Sequence, residues 1–245
     1  MGRTWVVTGG SRGIGRAVVD RALAEGDTVH VLARSVERDT WPVAVRDRVH
    51  PVPADIADTA SVQRAMALVE QSSGSVDVLV QSAGVHRGGR LDRLGDDAWE
   101  EVLATNLGGA FRVARAARPL LTEGSCVVNI GAVVGLRGYP GDAAYGSAKA
   151  GLAGLTATLA MELAADGVRV NLVVPGFVDT TMTAGLSGAS RSAVVDGIPM
   201  GRPGRPEEIA DVVWAVAGAT YMTGSTVAVD GGLLASFGAP RRRRS

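Results

Sequence analysis

The stretch TWVVTGGSRGIGRAVVDRALAEG, residues 4–26, decides how the chain folds. Its first five residues form an unalternated, Val-rich run, the pattern of a strand buried on both faces. From Gly13 onward apolar residues recur at helical spacing, which predicts a helix. Between the two lies a turn spaced Gly9-xxx-Gly13-x-Gly15. Such a turn brings bare backbone N–H groups and the positive end of a helix beside an anion. Gly9 permits the tight turn and Gly15 lets the helix pack close to the sheet. A strand before and a helix after is the context a dinucleotide-binding turn requires.

Outward from this unit the same rhythm repeats. Strands are expected at 28–33, 49–53, 76–80, 125–130, 168–174 and 225–230. Helical patterns cover 59–71, 96–121, 142–167 and 206–218. Strands alternating with helices predict a single α/β domain over 1–240, a doubly wound Rossmann fold with a seven-stranded parallel sheet and helices on both faces. Only 180–206 breaks the rhythm, being rich in Gly, Ser, Thr and Pro with a weak helical pattern near 189–197. A long insertion of that kind in a compact domain reads as a substrate lid. Arg241 to Ser245 form a short basic tail.

Composition removes several function classes. Twenty-five basic and 25 acidic residues give a net charge of zero, which argues against a nucleic-acid binder. One cysteine, Cys126, makes no internal disulfide and no metal cluster. No apolar run approaches the ~18 residues of a membrane span, and the first residues enter a strand without a leader pattern. A soluble cytoplasmic protein without a metal is the expectation.

AYGSAKAG, residues 144–151, holds Lys149, the sole lysine among 25 basic residues. Where positive charge alone matters, an Arg-rich sequence drifts to arginine, so Lys149 marks a position that needs a compact ammonium. Tyr145 precedes it by four residues and would share its helix face. The end of the second strand, VLARS, has Ala33 and Arg34 where an NAD-binding fold places an acidic residue. Arg34, helped by Arg12, suits a 2′-phosphate, and NADP(H) is the expected cofactor.

Taken together, the glycine turn after Thr8, the Tyr145-xxx-Lys149 pair, SAG at 82–84, TNL around Asn106, PGFVDT at 175–180 and the closing TGSTVAVDGG resemble the short-chain dehydrogenase/reductase family over essentially the whole chain. The similarity extends to β-ketoacyl-carrier-protein reductases and polyketide ketoreductases. The resemblance implies a catalytic set of Tyr145, Lys149 and Asn106. Tyr145 would give a proton to a ketone oxygen, its pKa lowered by the nearby Lys149 ammonium, with resupply through Lys149 and a water chain reaching Asn106. It implies cofactor contacts from Thr8, Gly9, Ser11, Arg12, Gly13, Ile14 and Gly15, and from Arg34. Asp55 and Ile56 would hold the adenine, and Ala83 with Gly84 the ribose. Tyr145, Lys149, Pro175, Gly176, Val178 and Thr180 would lie along the nicotinamide half. A homotetramer formed through the long helices is also implied.

One departure stands out. The family carries a serine thirteen residues before the tyrosine, and here that position is Ala132. Losing one oxyanion donor costs typically 10²–10³ in rate. Thr183 and Ser192 are candidate replacement donors. Gln81 and Ser82 stand where the family has two asparagines. The substrate pocket is expected from Ala132, Val134, Leu136, Tyr139, Phe177, Met182, Leu186 and Ser192, an apolar lining suited to a hydrophobic ketone, polycyclic or carrier-bound. His86 reads as a rim residue. Reduction of a polyketide-derived ketone leads. A housekeeping 3-oxoacyl-carrier-protein reductase, a dinucleotide-binding sensor or scaffold, and a dehydratase or isomerase on the same fold remain open.

Overall fold

The computed structural model describes residues 2–185 and 187–236, so Leu186 and the 241–245 tail lie outside the described residues. The chain opens β1 (Thr4–Thr8), α1 (Gly13–Ala24), β2 (Thr28–Ala33), β3 (Val49–Pro53), α2 (Thr59–Ser73) and β4 (Val76–Gln81). It continues with α3 (Asp96–Leu103), α4 (Gly109–Ala117), β5 (Leu121–Ile130), α5 (Val134–Arg137) and α6 (Ala143–Leu163). β6 (Arg169–Pro175), α7 (Gly188–Asp196), α8 (Pro206–Gly218) and β7 (Thr226–Val229) complete it. All seven strands are parallel, in the order β3-β2-β1-β4-β5-β6-β7. This is the doubly wound architecture the alternating pattern implies. No helix among the described residues is long and apolar enough to cross a membrane.

Strand period divides the core between the two faces of the sheet. Trp5 and Val7 pack with Val29, Val31, Val78, Val80 and Val128 under α1 and α8. Val6, Leu32, Leu79, Val127 and Val170 point the other way, among the buried residues of α2, α4 and α6. Each fully buried Val or Leu contributes on the order of 1.5–3 kcal/mol. That is why the strands carry little polar alternation.

The helical pattern over 96–121 is one continuous signal in sequence but four pieces in structure, the last a 3-10 turn (Arg118–Leu120), and Leu121 already belongs to β5. α3 passes through a π turn (Ala104–Gly108) before α4 begins. The extra residue shifts the ladder and frees the Ala104 carbonyl, which accepts from Arg112 at 3.0 Å. It also turns Asn106 inward, to 2% exposure. β5 is longer than its apolar run, because Leu121 already pairs with Val76 across a register shift.

The strand order reverses between β1 and β4, so the helices that follow them leave on opposite faces and a crevice opens at the carboxyl ends. There Gly9 has φ +69°, and a Cβ on it would lie 2.7 Å from Ala83 Cα. A Cβ on Gly15 would lie 2.4 Å from the Gly9 carbonyl oxygen. Both approaches are backbone against backbone, so neither neighbour yields cheaply. Replacing Gly15 with alanine is therefore expected to destabilise the fold by about 1–3 kcal/mol, the range of overpacking. Urea unfolding of the variant against wild type measures it.

Candidate active site

The crevice is a cleft of about 450 Å³. One wall is the β1–α1 turn, from Gly9 to Ile14, and the far end is closed by Ala33, Arg34 and Ser35 of the β2 end. Asp55 and Ile56 border it, as do Ala83 and Gly84 after β4. Tyr145 and Lys149 face it from α6, and Pro175, Gly176, Val178 and Thr180 from the end of β6. Thus almost every residue expected at the cofactor lines one continuous space. Thr8 and Gly15 lie behind it. The Thr8 hydroxyl accepts from the Ala83 N–H at 3.2 Å, and Gly15 makes the close approach described above.

The residues present fit a dinucleotide. Where a Cβ would collide, the cradle exposes backbone, and Gly13 (φ +56°) keeps the turn open. At the β2 end the cleft is lined by Ala33, Arg34 and Ser35 and by no carboxylate of that strand end; Arg34, and Arg12 on the glycine turn, are both exposed. Asp55 turns its Oδ1 to the Ala57 N–H at 2.9 Å, which fixes the turn carrying Ile56. The 177–179 segment is pinned across to Gly204 by hydrogen bonds of 2.9 Å in each direction.

Lys149 is buried at 6% exposure and donates from Nζ to the Ile130 carbonyl at 2.7 Å. α6 comes this close to the strand ends because Gly135 has no side chain; a Cβ there would lie 2.7 Å from the backbone of Lys149 and Ala150. Burial lowers the Lys149 pKa to about 8. Tyr145 lies one turn earlier, with Nζ 5.6 Å from its ring centroid. The expected lowering of the tyrosine pKa is not what the site does. Burial first, and then the Asp142 carboxylate, push Tyr145 up to about 12. Lys149 does not reverse this, because its hydrogen bond goes to Ile130 and its own charge is disfavoured by burial. At neutral pH Tyr145 is a phenol, the state that gives a proton.

Several expected site residues sit elsewhere. Asn106 does not line the cleft: its Nδ2 donates to the Val85 carbonyl and its Oδ1 accepts from the Val85 N–H, both at 2.8 Å. It clamps the loop after β4 with one hydrogen bond from each of its two polar atoms. Glu101 and Thr105, from α3 and the π turn, line the cleft instead. Of the expected substrate pocket, Ala132 and Met182 face the cleft, while Val134, Leu136, Tyr139 and Ser192 do not; Leu136, Tyr139 and Ser192 point to solvent. Phe177 lies under Arg191 and borders a separate small hollow behind the 180–206 segment. Neither proposed replacement donor is free at the site. The Thr183 hydroxyl is held in its own turn, its one hydrogen within reach of the Val178 and Thr180 carbonyls at 2.8 and 3.0 Å and its oxygen accepting from the Thr180 N–H at 3.0 Å.

The residue read as a rim histidine has a partner that the sequence did not reveal. His86 meets the Tyr145 ring edge-on, centroids 5.1 Å apart, and its Nε2 is 2.8 Å from Asp142 Oδ1. His86 and Asp142 are 56 residues apart, so no local pattern joins them.

Comparisons with known proteins agree with this geometry. A family model described as Enoyl-(Acyl carrier protein) reductase matches residues 9–234. The 3-oxoacyl-[acyl-carrier-protein] reductase FabG of Salmonella typhimurium is 37% identical over 240 residues, covering 95% of this chain and 97% of that protein. Carbonyl reductase family member 4 of Danio rerio is 39% identical over 236 residues, covering 95% and 98%. Among solved structures, a short-chain dehydrogenase/reductase from Brucella melitensis superposes with a TM-score of 0.90 at 31% identity, covering 95% of this chain and 96% of that one. An NADP active-site complex of Pseudomonas aeruginosa RhlG does so with a TM-score of 0.88 at 33% identity, covering 95% and 96%.

The lysine shift has a thermodynamic consequence with a definite sign. Free lysine titrates near 10.5 and the folded Lys149 near 8, so between those values the unfolded chain holds the extra proton. Stability therefore rises with pH across that window, by up to about 3 kcal/mol. Tyr145 acts oppositely but only above about pH 10, where an unfolded tyrosine ionises and the folded one does not. Urea unfolding at pH 7.5 and pH 10 is expected to show this rise in wild type relative to Lys149→Met, which carries no such proton.

Proposed function

The chain belongs to the short-chain dehydrogenase/reductase family, a family of oxidoreductases acting on ketone and alcohol groups, and we propose that it is an NADPH-dependent ketoreductase with Tyr145 as proton donor. The observation that carries the reading is the Tyr145 side chain on the cleft wall, one helical turn before the buried Lys149. Bound NADPH supplies hydride to a carbonyl carbon. Tyr145 gives its proton to the carbonyl oxygen, a contribution of typically 10²–10⁴ in rate. Lys149, fixed on Ile130 by one of its three N–H bonds, keeps two others to hold the ribose and to favour the phenolate left behind.

Arg34 and Arg12 support the phosphorylated cofactor, since neither can pair with a bare ribose hydroxyl as a carboxylate does. Residues 180–206 act as the lid, carrying Thr181 and Met182 over the cleft from a base closed on Gly204. The substrate is a hydrophobic, polyketide-derived ketone in the cytoplasm. Ala132 favours this over housekeeping reduction, because a ketone within a hydroxylated aromatic framework can polarise itself through an internal hydrogen bond. The identity to 3-oxoacyl-carrier-protein reductases favours a carrier-bound 3-oxoacyl thioester as the second reading. A homotetramer through α3, α4 and α6 accords with the exposure of Phe111 and Met161 on those helices.

Following NADPH oxidation with 3-oxoacyl thioester mimics and with polycyclic hydroxy-ketones decides between the two substrates. Tyr145→Phe is expected to lower kcat/KM by 10² or more on either, with NADPH affinity by fluorescence titration within threefold of wild type. Tight binding without turnover of any ketone would favour a sensor or scaffold instead. Arg34→Ala is expected to weaken NADPH binding about tenfold or more while leaving NADH binding nearly unchanged, from loss of a charge-assisted pair.

A further inference from the structure

The loop that leaves β4 is tied down at three points near the cleft. Asn106 grips both backbone groups of Val85, Arg87 makes a bidentate pair with Glu101 at 2.8 and 2.9 Å, and the Gly89 N–H donates to the Gly141 carbonyl at 2.8 Å. His86 sits between these anchors, so its backbone has little freedom.

Its side chain is fixed by an unusual use of Asp142. That residue occupies the N-cap position of α6, where a carboxylate ordinarily accepts from the first-turn N–H groups. Here the side chain makes no capping bond and accepts from His86 instead. The helix that carries Tyr145 and Lys149 thus lacks a side-chain cap, and an oriented imidazole stands against the tyrosine.

The orientation determines the ring's hydrogen-bonding sense. An ionised carboxylate only accepts, so Nε2 carries the hydrogen; in the neutral ring Nδ1 is then an acceptor. No described residue hydrogen-bonds Nδ1, and the side chain keeps 38% of its surface exposed beside the cleft wall formed by Val85 and Tyr145. Ala132, across the cleft, has no side-chain donor at all. Position 132 thus gives a ketone oxygen no second donor opposite Tyr145, and the His86 ring, which packs on Tyr145 but is not itself among the residues lining the cleft, holds its acceptor next to that tyrosine.

We propose that His86, held in one tautomer by Asp142, is a specificity-determining residue that accepts a hydrogen bond from a substrate hydroxyl while the ketone rests on Tyr145. The chain then selects hydroxy-ketones, anchoring them through their own hydroxyl rather than through a second donor on the reacting oxygen. This rests on the reductase reading above and narrows its substrate class.

The test is NADPH-dependent reduction of a series of ring-hydroxylated 2-tetralones, each beside its methyl ether, by wild type, His86→Phe and Asp142→Asn. A methyl ether accepts but does not donate, so wild type is expected to favour at least one hydroxyl compound over its ether by tenfold or more in kcat/KM. His86→Phe keeps an aromatic edge against Tyr145 but has no acceptor, and its ratio is expected to fall toward one. Asp142→Asn lets the amide donate to Nε2, which moves the ring hydrogen to Nδ1; its ratio should fall below wild type with the ether gaining. A residue that only packed against Tyr145 would change both members of each pair alike and leave the ratio standing. An unchanged ratio in His86→Phe, or no preference in wild type, overturns the inference and leaves the reductase reading intact. NADPH binding with no turnover of any tetralone or thioester overturns both.

Discussion

Everything at the functional end of this protein depends on two backbones touching where the sheet changes direction. At the reversal between β1 and β4, a Cβ on Gly9 would sit 2.7 Å from Ala83. The Thr8 hydroxyl ties the same two strands' exits together through the Ala83 N–H. If that contact were opened by one side chain, the α1 turn and the β4 loop would separate. The cleft between them would lose the floor proposed to hold a pyrophosphate. The contact also sets where the β4 loop starts, and hence where Val85, His86 and Arg87 stand relative to α6.

The second constraint is burial. Lys149 and Tyr145 are drawn in opposite directions by the same cause, since burial disfavours whichever form is charged. The lysine falls to about 8 and the tyrosine rises to about 12. In this state the pair is an ammonium beside a neutral phenol at neutral pH, a donor arrangement suited to giving a proton to a forming alkoxide. The opposite direction, oxidation, would need the phenolate, which both burial and Asp142 oppose. The charge of Asp142 is tolerable next to Tyr145 because its hydrogen bond is taken by His86.

How much of this the sequence carries depends on whether the signal is local. The strands were legible because double burial demands runs such as Trp5–Val7 and Val78–Val80, which nothing else explains. The glycine turn was legible because steric exclusion leaves no other residue at Gly9 or Gly15. The π turn was not: a five-residue ring hardly alters apolar spacing, so 96–121 reads as one helix until Asn106 is seen turned inward. Substrate-side residues were read from the loops expected to border the cleft, but Leu136 and Tyr139 are exposed and do not line it. Thr183, read as a free donor, spends its hydroxyl on its own turn, a local hydrogen bond typical of threonine. The His86–Asp142 contact joins two loops and depends on the fold being complete.

The lone lysine gains a physical explanation from its surroundings rather than from its charge. Its ammonium donates to the Ile130 carbonyl, and the missing side chain of Gly135 lets the backbone of Lys149 come that close to the strand ends. A guanidinium at the same depth would need more acceptors than one carbonyl supplies, and it could not shed its charge when buried. Lysine tolerates the position because its pKa can fall, and a fallen pKa makes it an easier relay for a proton than arginine. The same reasoning bears on Ala132. A site that buries its ammonium, keeps its phenol protonated and has no hydroxyl at position 132 leans on Tyr145 for proton donation, so the orientation of that group carries the chemistry. Asp142 gives up capping α6 to hold His86 against Tyr145. The helix end becomes weaker so that the tyrosine ring has a fixed neighbour, which is the direction of trade expected where positioning limits the reaction.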